Sequence, residues 1–179
     1  TLGTRTKANG WKDAPAYVAG SHEDQPGGGV CQLSSTLYNA TVLADLEIVS
    51  RTNHSMPVGY VPKGRDATIN SVGNLIDFKF KNNTQGNIII ICYYVSNYLT
   101  MEIYGLPFAT DEYDKIDIRV EKVSTTKITT TYEDDPTLPA GYEEETYEGC
   151  TGYIYKSYKQ YYKDGKMVKE EALSTSTYK

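Results

Sequence analysis

The run GGGVCQLSSTLYNAT, residues 27–41, sets three glycines directly before a cysteine that opens a helix-like pattern. The first turn of a helix has backbone N–H groups with no carbonyls behind them. Such groups favour negative charge, so they would favour a thiolate over a thiol at Cys31. They could also hold the oxyanion of a tetrahedral intermediate, a task for which Gly28 and Gly29 are placed. Glycine adds the freedom to bring another backbone close. The same residues would equally suit a structural cysteine in a tight turn. A phosphate cradle is a poorer fit, because no lysine follows the glycines.

A thiol nucleophile needs a base, usually imidazole, and the chain has two histidines. His54, in RTNHSMPVGYVPKGRDAT, follows the helix among polar residues and is the candidate base. His22, in the acidic stretch AGSHEDQPGGG, reads as a surface residue. Asp66 could orient the imidazole of a Cys–His pair, and Arg65 could grip a substrate carboxylate with two parallel hydrogen bonds. Taken alone, an Arg–Asp pair after Pro62 and Gly64 is also ordinary surface-turn chemistry. A zinc site from Cys31 and the two histidines lacks a close-spaced ligand pair. Neither a metal nor a cofactor is expected.

These residues need elements to hold them. A helix is expected over about residues 31–45, with Leu33, Leu37, Ala40 and Ala44 recurring on one buried face. Cys31, Ser34, Ser35 and Tyr38 share the other face. Those neighbours of Cys31, with Gln32 and Arg65, are the expected substrate-binding residues. Next, LIDFKFK, IIIICYYV and YLTMEIYG read as an antiparallel three-stranded meander over 75–105. IIIICYYV is its central strand, with Cys92 a buried small hydrophobe. GLPFATDEYD marks a boundary between units at 1–108 and 111–179. Beyond it, IDIRVEKVSTTKITTTY alternates with few large aliphatics, and KDGK places Asp-Gly at a hairpin turn. The fold class expected is α+β: one helix carrying Cys31 on antiparallel strands, then an elongated all-β C-terminal domain. The first 30 residues read as loop.

Composition narrows the partners. The 179 residues carry a formal charge of −5 with no Lys/Arg cluster, so nucleic acid is not an expected partner. No apolar run approaches the roughly 18 residues of a membrane span. The chain opens on TLGTRTKANGW without methionine. It therefore reads as a fragment, any membrane anchor lying in a missing N-terminal segment. Three cysteines cannot all pair within the chain; a 92–150 bridge would still leave Cys31 free. Tyrosine outnumbers Trp and Phe together, 17 against one and three, as suits β-rich surfaces with half-buried rings.

GGGVCQLSSTLYNATVLADLEIVSRTNHSMPVGYVPKGRDATI resembles the core signature of the VanW family, named from a glycopeptide-resistance gene cluster of Gram-positive bacteria. The resemblance runs over about residues 1–105. One departure is TNHS, where the family often has His-Pro-His-Ser; only the position of His54 is kept. The resemblance implies an extracellular, cell-wall-associated protein of a Gram-positive bacterium. It further implies an L,D-transpeptidase forming 3-3 cross-links between peptidoglycan stem peptides through a thioester on Cys31. Water as acceptor would make the same site an L,D-carboxypeptidase, and a cleft without turnover would be a wall-binding module. Residues 111–179, with DDPTLPAG, YYKDGKMVKEE and STSTYK, resemble the five-glycine domain of bacterial surface proteins. That resemblance adds glycan strands as a partner. Against this background the sequons at Asn39 and Asn53 are chance.

Overall fold

The computed structural model describes residues 3–18, 21–70, 75–108, 110–144 and 149–179; the side chains of 17, 18 and 21–23, His22 included, lie outside the described residues. Most of the described elements are strands, with one α-helix among them. Strands β1 (Asp13–Val18) and β2 (Ser21–Pro26) pair antiparallel, so the first 30 residues hold a hairpin where loop was expected. The ladder closes with Asp13 opposite Pro26, which carries the glycines across β1. A Cβ on Gly28 would sit 2.2 Å from the carbonyl oxygen of Ala14, so the chain passes there only as glycine.

Helix α1 (Val30–Leu43) starts at Gly29, whose φ of 86° is in the left-handed region. It ends in a Schellman-type cap: Leu46 N–H donates to Thr41 O and Asp45 N–H to Val42 O, with Asp45 at φ 58°. Its buried side is not the expected one. Val30, Ser34, Ser35, Tyr38, Thr41 and Val42 are buried, while Leu33 and Leu37 are half-buried and Leu43 is exposed. The two serine hydroxyls can be buried there because the Ala67 backbone answers them. Ser34 Oγ donates to Ala67 O at 2.6 Å, and Ala67 N–H donates to Ser35 Oγ at 2.9 Å.

The expected meander over 75–105 is instead two separate ladders. Strand β3 (Glu47–Ser50) pairs with β4 (Lys79–Lys81), and β5 (Ile89–Val95) pairs with β6 (Tyr98–Tyr104). Strand β5 has no second neighbour among the described strands, and all seven of its residues are exposed. Cys92 is therefore an exposed thiol on an edge strand, not a core residue. A continuous apolar run reads as a central strand only if something covers both faces.

Strands β7 (Lys115–Thr126), β8 (Gly152–Lys163) and β9 (Lys166–Tyr178) form an antiparallel sheet in the order β7-β8-β9. Asp164 and Gly165, both at positive φ, make the tight turn between β8 and β9. The sheet shares its core with the helix. Tyr38, Val42, Ala67 and Ile118 form one buried cluster, with Ile48, Phe78 and Leu173 packed against it. Burying a Val or Ile side chain is worth about 1.5–3 kcal/mol, so this shared cluster is a substantial joint. A polar joint lies at the far end of α1, where Asp45 accepts from Lys159 Nζ and Tyr113 Oη.

Candidate functional site

The site forms where the N-terminal turn of α1 meets the loop after β3 and the segment 66–69. Cys31, the second residue of α1, is half-buried. Its Sγ lies 3.5 Å from the carbonyl oxygen of Ile69 and 3.7 Å from Thr68 Oγ1. Two hydrogen bonds tie His54 to the Oδ2 atom of Asp66: its backbone N–H and its ring Nδ1 both lie at 2.7 Å. With Nδ1 so occupied, Nε2 is the other ring nitrogen, and the His54 ring acts electrostatically on the Cys31 thiol. Nε2 also lies 3.4 Å from the hydroxyl of Tyr60. Thus Cys31, His54 and Asp66 come together from three separate segments.

The electrostatics follow from that geometry. Burial alone would push the Cys31 thiol up, but the neighbouring His54, through hydrogen bonding and charge, with smaller contributions at Ile69 and Thr68, brings it down to about 7. Burial would likewise lower His54; hydrogen bonds to Asp66 and Cys31 and their negative charge raise it to about 9. Between these values the pair is thiolate and imidazolium. Asp66 is fully buried, which would raise its carboxyl. Donation from His54 and Tyr178, with the charge of Arg51, holds it below the usual carboxylate range instead.

Among the described residues Asp66 has four donors. Besides the two from His54, its Oδ1 accepts from Tyr178 Oη at 2.5 Å and from Arg51 Nη2 at 3.2 Å. The Arg51 side chain is 5% exposed; its Nε also donates to the Asp66 carbonyl at 2.6 Å and its Nη1 to Ser176 Oγ at 2.8 Å. Arg51, Tyr60, Thr68 and Tyr178 were not foreseen from sequence. Arg51 sits three residues before His54, a signal of sorts. Tyr178 offers none, since 112 residues separate it from Asp66.

The remaining expected residues fall elsewhere. Ser34, Ser35 and Tyr38 are 4%, 0% and 1% exposed, so they clamp the Asp66 segment onto α1 and do not face a substrate. The Arg51 guanidinium stacks on the Tyr38 ring, 5.2 Å from its centroid. Arg65 Nε donates to Asn39 Oδ1 at 2.6 Å, and Asn39 Nδ2 donates back to the Arg65 carbonyl. That places Arg65 eight helical residues beyond Cys31, about 12 Å along the axis. Gln32 is half-buried, and its carbonyl accepts from Thr36 Oγ1. The N-terminal turn keeps an open donor: no backbone carbonyl among the described residues accepts from the Cys31 N–H. Two cavities, of about 450 and 510 Å³, lie at the ends of β7–β9 and beside β6, and Cys31 lines neither. Among the described residues, no group of three or more His, Cys, Asp or Glu side chains is arranged to hold a metal.

Fold and site together define an α+β protein in which a thiol, an imidazole and a buried carboxylate gather at a helix N-terminus. The chain belongs to the VanW family: the family described as VanW like protein matches residues 1–104, and the G5 domain matches residues 118–179. A relative is the uncharacterized protein YoaR of Bacillus subtilis (strain 168), 39% identical over 124 residues. The match covers 64% of this chain and 40% of that protein, so the chain spans well under half of the relative's length. No solved structure matches the chain.

Proposed function

We propose that this chain is the catalytic part of a cell-wall cysteine acyltransferase, an L,D-transpeptidase acting on peptidoglycan stem peptides outside the membrane of a Gram-positive bacterium. The observation that carries the reading is the relay itself, with Asp66 Oδ2 at 2.7 Å from His54 Nδ1 and His54 lowering the Cys31 thiol to about 7. The pairing of VanW and G5 domains in one chain supports a wall-associated setting.

In this mechanism the Cys31 thiolate attacks the carbonyl carbon of an L-centre in a donor tetrapeptide. The C–S bond forms, and the oxyanion is met by the Cys31 N–H at the start of α1. As the C–N bond to the terminal D-alanine breaks, imidazolium His54 gives its proton to the leaving amine. A side-chain amine of a second stem then attacks the thioester and passes a proton to His54, and the thiolate departs. Asp66 keeps Nδ1 occupied and the ring in place throughout. A thiol near 7 is about half ionised at neutral pH, so it needs no separate deprotonation step.

The test is incubation with disaccharide-tetrapeptides followed by mass analysis of products. Cross-linked dimers lost in Cys31→Ala support transpeptidation. Tripeptides alone would make the protein an L,D-carboxypeptidase. Unchanged substrate with measurable binding would make it a wall-binding module.

A further inference from the structure

We infer that Tyr178 is a positioning residue for the Cys31–His54 pair, acting through Asp66, and that the C-terminal sheet is therefore part of the reactive unit. The inference rests on reading Cys31 as the nucleophile. A sheet that only anchored the chain to the wall would have no need to reach the relay, yet one face of β9 does so at every second residue. Ser174 Oγ and Ser176 Oγ accept from Arg51 Nη1 at 3.3 and 2.8 Å, and Tyr178 Oη donates to Asp66 Oδ1 at 2.5 Å. Among the described residues, every donor to Asp66 outside His54 is thus either on β9 or held by it.

The Tyr178 hydroxyl has no freedom to do otherwise. It accepts from the Gly64 N–H at 2.6 Å, so its proton points to the carboxylate. The ring is 2% exposed, and burial with the neighbouring Asp66 charge raises the phenol well above its usual value. The strand also braces the His54 loop directly. Asn53 Nδ2 donates to Thr177 O at 2.8 Å, and Lys179 N–H donates to Ser55 O at 2.7 Å. Seen from Asp66, His54 holds one oxygen while Tyr178 and Arg51 hold the other. Losing the second grip frees the carboxylate to turn away from Nδ1.

The direction of the effect follows. His54, at about 9, stays protonated at pH 7 with or without Tyr178, so the hydroxyl does not decide its charge. What changes is where the imidazolium sits relative to Sγ, and a displaced imidazolium stabilises the thiolate less. The experiment is the pH profile of Cys31 alkylation in the full chain, in a Cys92→Ser/Cys150→Ser background, with Tyr178→Phe beside the parent. The expected result is a rising limb shifted up by about one unit from its position near 7, which cuts thiolate at pH 7 about fivefold. Ser176→Ala, which removes one acceptor from Arg51, should move the limb the same way by less, and it decides the question if Tyr178→Phe does not fold. A limb unmoved in the folded variants, with only the unfolding midpoint lowered, overturns the inference and leaves β9 as a structural brace. Failure of the acyl-transfer reading looks different: the limb moves as stated, but no acyl-enzyme or peptide product forms.

Discussion

Removing the imidazole with His54→Ala separates the two contributions that set the reactivity of Cys31. His54 is the first of the groups that lower the thiol, against burial that raises it. Without the ring, burial is opposed only by Ile69 and Thr68, and the thiol should return to at least its ordinary 9.0. At pH 7 the thiolate fraction then falls from about one half to about one hundredth, roughly 50-fold, or about 2.3 kcal/mol. The rate falls less, because a more basic thiolate is a better nucleophile. With a Brønsted slope of about 0.4–0.5, two units restore roughly sevenfold, leaving a net loss of about sevenfold toward a disulfide reagent. The rate at one pH is therefore a blunt readout, and the position of the limb is the sharp one. The assay is stopped-flow reaction with a small aryl disulfide from pH 5 to 10, in a Cys92→Ser/Cys150→Ser background so that only Cys31 responds. The parent limb should lie near 7 and the His54→Ala limb at or above 9. A parent limb already near 9, or one that His54→Ala leaves in place, refutes the electrostatic reasoning.

Other consequences can be checked on the same protein. Asp66→Asn sets an amide –NH₂ among four donors and leaves Arg51 without its carboxylate, so it should cost about 3–5 kcal/mol in urea unfolding; a loss under 1 kcal/mol would contradict the burial reading. Folded His54 is raised, so its stability contribution is full below 6.5 and lost as pH rises through about 9. Folded Cys31 is lowered, so its contribution is full above 9.0 and lost as pH falls through about 7. The two nearly cancel, and the unfolding midpoint should be flat between pH 7 and 9, whereas Cys31→Ala should show a decline with rising pH; a steep parent profile would argue against the pair. Gly28→Ala forces a Cβ onto the Ala14 carbonyl, so it should destabilise by at least about 1–3 kcal/mol by chemical denaturation.

Motif order was the most legible feature of the sequence. It carried the family over residues 1–104, the G5 match after it, and the Asp-Gly hairpin between β8 and β9. It also named three residues, Cys31, His54 and Asp66, that the structure brings together. Periodicity misled at α1, because apolar spacing favoured the Leu33/Leu37 side. The outcome turned on which side could have its hydroxyls answered by the Ala67 backbone, a partner 32 residues away. At β5, run length says that a strand is apolar and nothing about whether neighbours exist to cover it. The supports of Asp66 were not legible at all. Arg51 and Ser176 lie 125 residues apart and meet only because the C-terminal sheet packs on the helix. A glance at the local sequence of STSTYK shows an alternating strand and no reason to connect it with a buried carboxylate.

The claim on which the rest depends is that a peptide acyl group becomes bonded to the sulfur of Cys31. Intact-mass spectrometry of the protein, acid-quenched within seconds of mixing with a disaccharide-tetrapeptide, tests it directly. The predicted spectrum shows an adduct equal to the donor less its terminal D-alanine, mapped to Cys31 and absent in Cys31→Ala. Unmodified protein at every time point, while Cys31 still alkylates readily at neutral pH, would contradict it.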